Sequence, residues 1–377
     1  MTQMSHRQRL LAALSHKQPD RVPIDFGSTI VTGIGLEPYE RLKKALGMKF
    51  GKTRVFDQAA QLAQVDEEIL NLWDVDTRGL TLGSIAGQLD HDEGKQDVIL
   101  DEWGICKKYS LESETYFVAN SPLSGEISAK RILDYQWPDP GKSIKLEDLK
   151  RKIMTTRAKG DHAILLALPT NFILTSMELR GFEDWYLDAG WDKKMLGMLM
   201  DQILDIQMGM CNEILTEIGE QIDVVVNFDD LAIQDRLLVS PATYAEILEP
   251  RLRRLFDFIH TKTSAKLLHH SDGAIKPIIN SLIDIGVDAV NPVQVSAKGM
   301  DNLKQLKQEY GDRIAFWGGI DTQHLLPFGT PEEVYTKVQS IIEEMNIDGG
   351  YVLCSVHNIQ KDVPAENVIA MFSAALD

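Results

Sequence analysis

Two short segments of this chain collect residue types that can hold a metal ion. In the first, an apolar run at 265–268 gives way to His269-His270-Ser271-Asp272-Gly273. In the second, Tyr351-Val352-Leu353-Cys354 runs into Ser355-Val356-His357-Asn358. Imidazole, thiolate and carboxylate are the usual zinc donors of proteins, and a catalytic zinc takes three of them and keeps a fourth position open. His270 and Asp272 project from one loop, and His357 or Cys354 would be the third donor. The same residues have a plainer reading. The histidines can be hydrogen-bonded groups on a rim, and Asp272 can cap a helix at 275–285. Cys354, inside an apolar run, can be a small buried hydrophobe.

More polar residues follow other apolar runs. Asp229-Asp230 come after the run at 224–228. They read either as a general acid beside a cation holder, or as a helix cap beside an ion-pair partner of Arg236. Asn171, Gln294 and Gln323 follow the runs at 163–168, 289–292 and 314–317, where their carboxamides can orient a substrate. With Asp321 and Asp362 the set is anionic, which suits a cation. Gly318-Gly319 marks a close backbone approach to a ligand or a helix. Phe172, Trp185 and Tyr186 are core residues or pocket lining.

These residues must be positioned by the elements before them. From residue 160 onward, apolar runs of strand length (163–168, 224–228, 266–269, 289–292, 314–317, 351–354) alternate with helical patterns. The helices are predicted near 176–188, 193–217, 241–262, 275–285, 301–309, 331–346 and 365–376. Such alternation predicts a parallel sheet covered on both faces. Runs at 21–26 and 77–84 can supply two more strands. The expected fold class is therefore α/β, a (β/α)8 TIM barrel with an N-terminal helical and β-hairpin extension. A doubly wound sheet is second, because no Gly-x-Gly-x-x-Gly follows a predicted strand. The extension should hold helices at 5–16, 37–46, 58–72 and 146–158, and hairpins between 77 and 122 with turns at 90–94 and 101–104. In a barrel the site forms at the C-terminal strand ends, and the acids, amides and histidines above fall there.

Composition narrows the class of function. The chain has 377 residues, 44% of them hydrophobic and 25% charged, as in ordinary globular proteins. A net charge of -17 argues against nucleic acid or an anionic membrane as the main partner. Three scattered cysteines (Cys106, Cys211, Cys354) make no disulfide framework, so a reducing cytoplasm is expected. Residues 1–20 lack the apolar core of a signal peptide, and no apolar run approaches the roughly 18 residues of a membrane span.

Several strings resemble the uroporphyrinogen decarboxylase superfamily. They are His270-Ser271-Asp272-Gly273, Leu282-Ile283-Asp284-Ile285-Gly286-Val287-Asp288, Asn291-Pro292-Val293-Gln294, and Phe316-Trp317-Gly318-Gly319-Ile320-Asp321. His357 followed by Pro364, Glu366 and Asn367, the Arg21-Val22-Pro23 start, Asp229-Asp230 and Ser240-Pro241 also match. The likeness implies one domain over residues 1–377, with an N-terminal elaboration and the first barrel elements in 1–160 and the main βα repeats in 161–377. It implies either cofactor-free decarboxylation of porphyrinogen acetate arms or zinc-dependent methyl transfer to or from a corrinoid. The decarboxylases carry an arginine-rich N-terminal signature for substrate carboxylates, whereas 25–33 here contains no arginine. The thiol-methylating members hold zinc with His-x-Cys and a later Cys. Here His270 is kept, Asp272 replaces the first Cys, and His357 lies near the second with Cys354 three residues earlier.

Histidine and carboxylate leave a harder, more Lewis-acidic ion than thiolates do. The expectation is thus a corrinoid-dependent methyltransferase of the O-demethylase type, with a methoxylated aromatic as donor. Its cofactors would be zinc, on His270, Asp272 and His357 or Cys354, and a corrinoid (cobalamin) carried by a partner protein, since no Asp-x-His-x-x-Gly signature is present. Asp229 or Asp230 would serve as catalytic acid, and Asn171, Gln294 and Gln323 would bind substrate. The expected partners are the corrinoid protein, the small-molecule donor and, as an option, a second copy in a homodimer. The alternatives are a metal-free decarboxylase and a non-catalytic binding barrel.

Overall fold

A computed structural model describes residues 3–48, 51–57, 60–80, 82, 98–110, 115–139 and 144–377. Seven strands pair in parallel in the order of the sequence: β1 Thr77–Leu80, β2 Ala163–Ala167, β3 Val224–Phe228, β4 Lys266–His270, β5 Ala289–Asn291, β6 Ala315–Ile320 and β7 Tyr351–Ser355. Residues 23–25 fill the eighth place. On one side Asp25 N donates to Leu353 O at 3.0 Å and Leu353 N donates to Pro23 O at 2.9 Å. On the other, Asp76 N donates to Ile24 O at 2.9 Å. The ring is thereby closed, and the architecture is an α/β TIM barrel.

Side chains alternate along each strand because successive Cβ atoms point to opposite faces. Leu165, Val226, Leu268, Ala289, Trp317 and Cys354 point into the barrel. Their neighbours Leu267, Val290, Phe316 and Leu353 pack outward against the helices. The helix His6–Leu14 plugs the base of the barrel with Leu10 and Leu14, both essentially fully buried. Burial of each stabilises by about 1.5–3 kcal/mol. Beside this plug, Asp76 is fully buried and paired with Arg9 at 2.6 Å and Arg21 at 2.8 Å. It also accepts the Ile24 amide at 2.8 Å. A buried carboxylate is tolerated only when satisfied in this way, so the arginine of Arg21-Val22-Pro23 serves to anchor the closing strand.

The elaboration departs from expectation in places. The helix expected over 58–72 is confined to Glu67–Leu72, and Val55–Asp57 pairs antiparallel with Leu62–Ala63. Tertiary bonds override helix propensity there: Ala63 N donates to Ile34 O and Leu36 N to Gln61 O. The hairpin region is a three-stranded antiparallel sheet of Val98–Leu100, Cys106–Ser110 and Thr115–Asn120. Asp101 makes the second expected turn by accepting the Trp103 and Ile105 amides. The first, at 90–94, lies outside the described residues, as do 83–84 of the 77–84 run. The helix expected at 176–188 is two helices, Phe172–Arg180 and Phe182–Trp191, broken at Gly181. The segment at 275–285 starts as a 3-10 turn, Lys276–Ile278, without a side-chain cap. Among the described residues no helix is long and apolar enough to cross a membrane.

Candidate metal centre

His270 ends β4 and, like Leu268 two residues earlier, faces the barrel interior. It is only 5% exposed. Its backbone then leaves the sheet, and Asp272 projects from the following loop. That loop is held from several sides. Ser271 N donates to Asn291 O at 2.9 Å, and Ser271 Oγ accepts the Leu231 amide at 2.9 Å. Asp230 Oδ1 accepts the Asp272 amide at 2.8 Å, and Gln294 Oε1 accepts the Gly273 amide at 2.7 Å. Gly273 has φ 90°, and a Cβ there would lie 2.5 Å from Ile233 O, so only glycine fits. Asp272 does not cap the next helix.

His357 comes from the turn after β7. Its ring centroid lies 5.9 Å from that of His270. One donor atom each from His270, Asp272 and His357 falls within 4.8 Å of the others. A zinc ion at about 2.0–2.2 Å from each would need only a modest contraction of this triangle. Burial, with His270 beside it, lowers the His357 pKa against the opposing pull of Asp272 and Asp230. Burial thus favours the neutral imidazole, the form that offers a lone pair to a metal. The donor set fits zinc: two imidazoles and a carboxylate, converging at a barrel mouth.

The other candidates divide. Cys354 does not join the triangle. It sits inside the barrel at 1% exposure, one layer below, with Sγ against Ser355 O at 3.2 Å. Strand alternation points it into the barrel, where Asn291 Nδ2 donates to its Sγ at 3.8 Å, and burial pushes its thiol well up, so the thiolate form of a ligand is disfavoured. Asp229 is also buried, and its two oxygens accept the Ile173 and Leu174 amides at 3.0 and 2.9 Å. It caps the helix Phe172–Arg180 from a neighbouring strand. Burial raises its pKa more than those two bonds lower it. Asp230 is exposed and reaches the Asp272 loop; Arg236 pairs with Asp235 instead. Asn171 turns its oxygen to Gln207 and Thr175 in the helix layer, away from the histidines. Gln294 is a brace of the Gly273 loop, and also bonds Gln234 at 3.0 Å. Gln323 is exposed, in a turn held by Asp321. Gly318 approaches the backbone of Pro292, where a Cβ would lie 1.9 Å from the carbonyl oxygen. Phe172 and Trp185 are core, while Tyr186 is exposed.

Two residues at the centre were not singled out from the sequence as site residues. Phe228 is the register partner of His270, its ring centroid 5.9 Å away, and is half-buried. Asn291, fully buried, accepts from His270 Nδ1 at 2.6 Å. Both are terminal strand residues whose importance comes from cross-strand pairing, which a linear pattern does not display. Two clefts of about 920 and 790 Å3 lie elsewhere, and none of the three converging residues lines either one.

Comparison with known proteins places this geometry in a family. A structure described as a methyltransferase from Methanosarcina mazei superposes with a TM-score of 0.65 over 99% of this chain and 98% of its own, at 17% identity. A uroporphyrinogen decarboxylase of Pseudoalteromonas translucida is 27% identical over 142 residues, a match spanning 36% of this chain and 37% of that protein. The model of the family described as uroporphyrinogen decarboxylase (URO-D) matches residues 139–377, which hold β2 to β7 and all three converging side chains. The chain belongs to the uroporphyrinogen decarboxylase (URO-D) family.

Proposed function

We propose that this protein is a metal-dependent methyltransferase that takes a methyl group from an oxygen donor, of which methoxylated aromatics are the favoured class, and passes it to a corrinoid on a separate protein. The observation that carries this reading is the convergence of His270, Asp272 and His357 within 4.8 Å at the barrel mouth. The fold likeness to a methyltransferase supports it. His270, Asp272 and His357 would hold zinc, which when bound supplies a Lewis acid that polarises the donor oxygen and eases the departure of the demethylated product.

The chain's own residues do the rest. Asp230 fixes the Asp272 loop by accepting the hydrogen bond from the Asp272 amide, and in its acid form would give a proton to the leaving oxygen. Phe228, beside His270 and half-open, offers an apolar wall for an aryl group. Gln294 keeps Asp272 in place through Gly273. The decarboxylase alternative needs fixed cations for a carboxylate-rich substrate. The segment at 25–33 offers none, and an Asp272 carboxylate at the mouth would repel such a substrate.

Metal analysis of the purified protein tests the reading. About one equivalent of zinc is expected, and it should be lost in His270→Ala. Methoxylated phenols with cob(I)alamin and the protein should then give the absorbance of methylcobalamin. A folded, metal-free wild type that transfers no methyl group from a broad donor panel would overturn the proposal.

A further inference from the structure

We infer that Asn291 is a positioning residue that fixes the tautomer of His270 and so presents a lone pair to the metal centre. The inference rests on the reading of His270 as a ligand. Asn291 ends β5 and is the direct register partner of His270 on β4. Its amide orientation is set from behind, because Asn291 Nδ2 donates to Trp317 O at 3.0 Å and a carbonyl oxygen can only accept. Its Oδ1 must therefore be the atom that faces His270 Nδ1, at 2.6 Å. An oxygen with no hydrogen can only accept, so Nδ1 carries the proton. A neutral imidazole has one N–H, and Nε2 is left with its lone pair. The ring cannot take the opposite tautomer without losing this buried bond. Removal of Asn291 would free it to place an N–H where the metal should sit.

The neighbouring strands contain the same device in a setting without a site. Asn227 ends one position before Phe228, and its Nδ2 donates to Thr170 Oγ1 at 2.9 Å. Its Oδ1 then accepts from His269 Nδ1 at 2.6 Å. His269 is fully buried against Phe256, and its Nε2 meets no protein partner. An Asn–His pair alone is therefore no metal signature. What distinguishes His270 is its company: one donor atom each from His270, Asp272 and His357 falls within 4.8 Å of the others, and with Nδ1 engaged by Asn291 the nitrogen left for a metal is Nε2. His269 gives an internal control for any measurement on His270.

The test reads tautomers and metal affinity in separate experiments. In metal-free wild-type protein with 15N-labelled histidine, long-range 1H–15N correlation should show His269 and His270 both protonated at Nδ1. In Asn291→Ala, His270 alone should shift towards the Nε2–H form, and zinc affinity measured against a competing chelator should fall by about 10–100-fold. Asn291→Asp keeps an acceptor for Nδ1. As a neutral acid it can also donate to Trp317 O, so it should restore both readouts. This variant separates the proposal from simple loss of packing. His270 protonated at Nε2 in the wild type would overturn the inference. So would an Asn291→Ala protein with unchanged tautomer and unchanged zinc affinity. A wild type with Nδ1–H that takes up no zinc would overturn the metal reading and the positioning role with it, leaving Asn291 as a partner in a buried hydrogen bond.

Discussion

Gly273→Ala should strike both stability and metal binding, and its size can be worked from the structure. Residue 273 holds φ 90°, where an L-residue costs about 1–2 kcal/mol more than glycine. The new Cβ would also lie 2.5 Å from Ile233 O and 2.8 Å from the carbonyl carbons of Ala232 and Ile233. These are backbone atoms and cannot swing aside. To separate them the loop must move, which strains the 2.9 Å bond from Ala274 N to Ile233 O, worth about 1 kcal/mol. The total is about 2–3 kcal/mol. Because Gly273 follows Asp272, the same shift would carry that carboxylate away from His270 and His357. The denaturation midpoint in urea should fall, and chelator competition should show weaker zinc binding under conditions where the variant is still folded. A variant that unfolds with the wild type and binds zinc equally well would refute the claim that this glycine sets the loop.

Three further outcomes follow from the same geometry. Cys354→Ala should keep its full zinc content and lose about 1–2 kcal/mol of stability from the emptied space; loss of zinc would return Cys354 to the ligand set. Asp230→Asn keeps an acceptor for the Asp272 amide but removes the acid, so zinc should stay while methyl transfer slows by about 100-fold; an unchanged rate would remove the proton-transfer role. Burial, helped by Arg78 and His6, lowers the pKa of His162 to about 4 from its ordinary 6.5. Between those values the unfolded chain binds the extra proton, so stability should fall as pH drops from 6.5 to 4, by about 2–3 kcal/mol from this residue. In His162→Gln, equilibrium unfolding across that range should show a shallower acid slope; an unchanged slope would mean that His162 is not held neutral.

The barrel was legible because its strands are continuous apolar runs between helical patterns, a signal carried by each segment alone. The three converging side chains were legible by type, as zinc donors after strand ends, but hydrogen-bonded rim histidines and a helix-capping aspartate fit the same residues, and only the fold brings the three together. The errors came where geometry depends on partners. Asp229 and Asp230 are adjacent, so they point different ways, and only the position of the helix Phe172–Arg180 tells which one is consumed as its cap. Cys354, already the weaker candidate from its place inside an apolar run, lies inside the barrel, whereas His357 lies beyond the strand end. Asn291 escaped notice as a site residue because its role is to face His270 across a strand pair. The helix expected over 58–72 failed for a similar reason: Ile34 and Leu36, far back in the chain, draw Gln61 and Ala63 into extended pairing.

The closing strand has a consequence for how the molecule comes into being. Ile24 finds its parallel partner at Leu353, nearly the whole length of the chain away. During synthesis the early segment with Pro23 and Ile24 must wait for almost everything else before its edge is covered. Contacts this distant are slow to form and leave apolar surface open to association meanwhile. Asp76, with Arg9 and Arg21, belongs to an early cluster that can form first and hold the waiting edge near β1. Until residues 351–355 are in place the ring stays open at one seam, and that seam is where assistance from a chaperone, or failure by aggregation, would act.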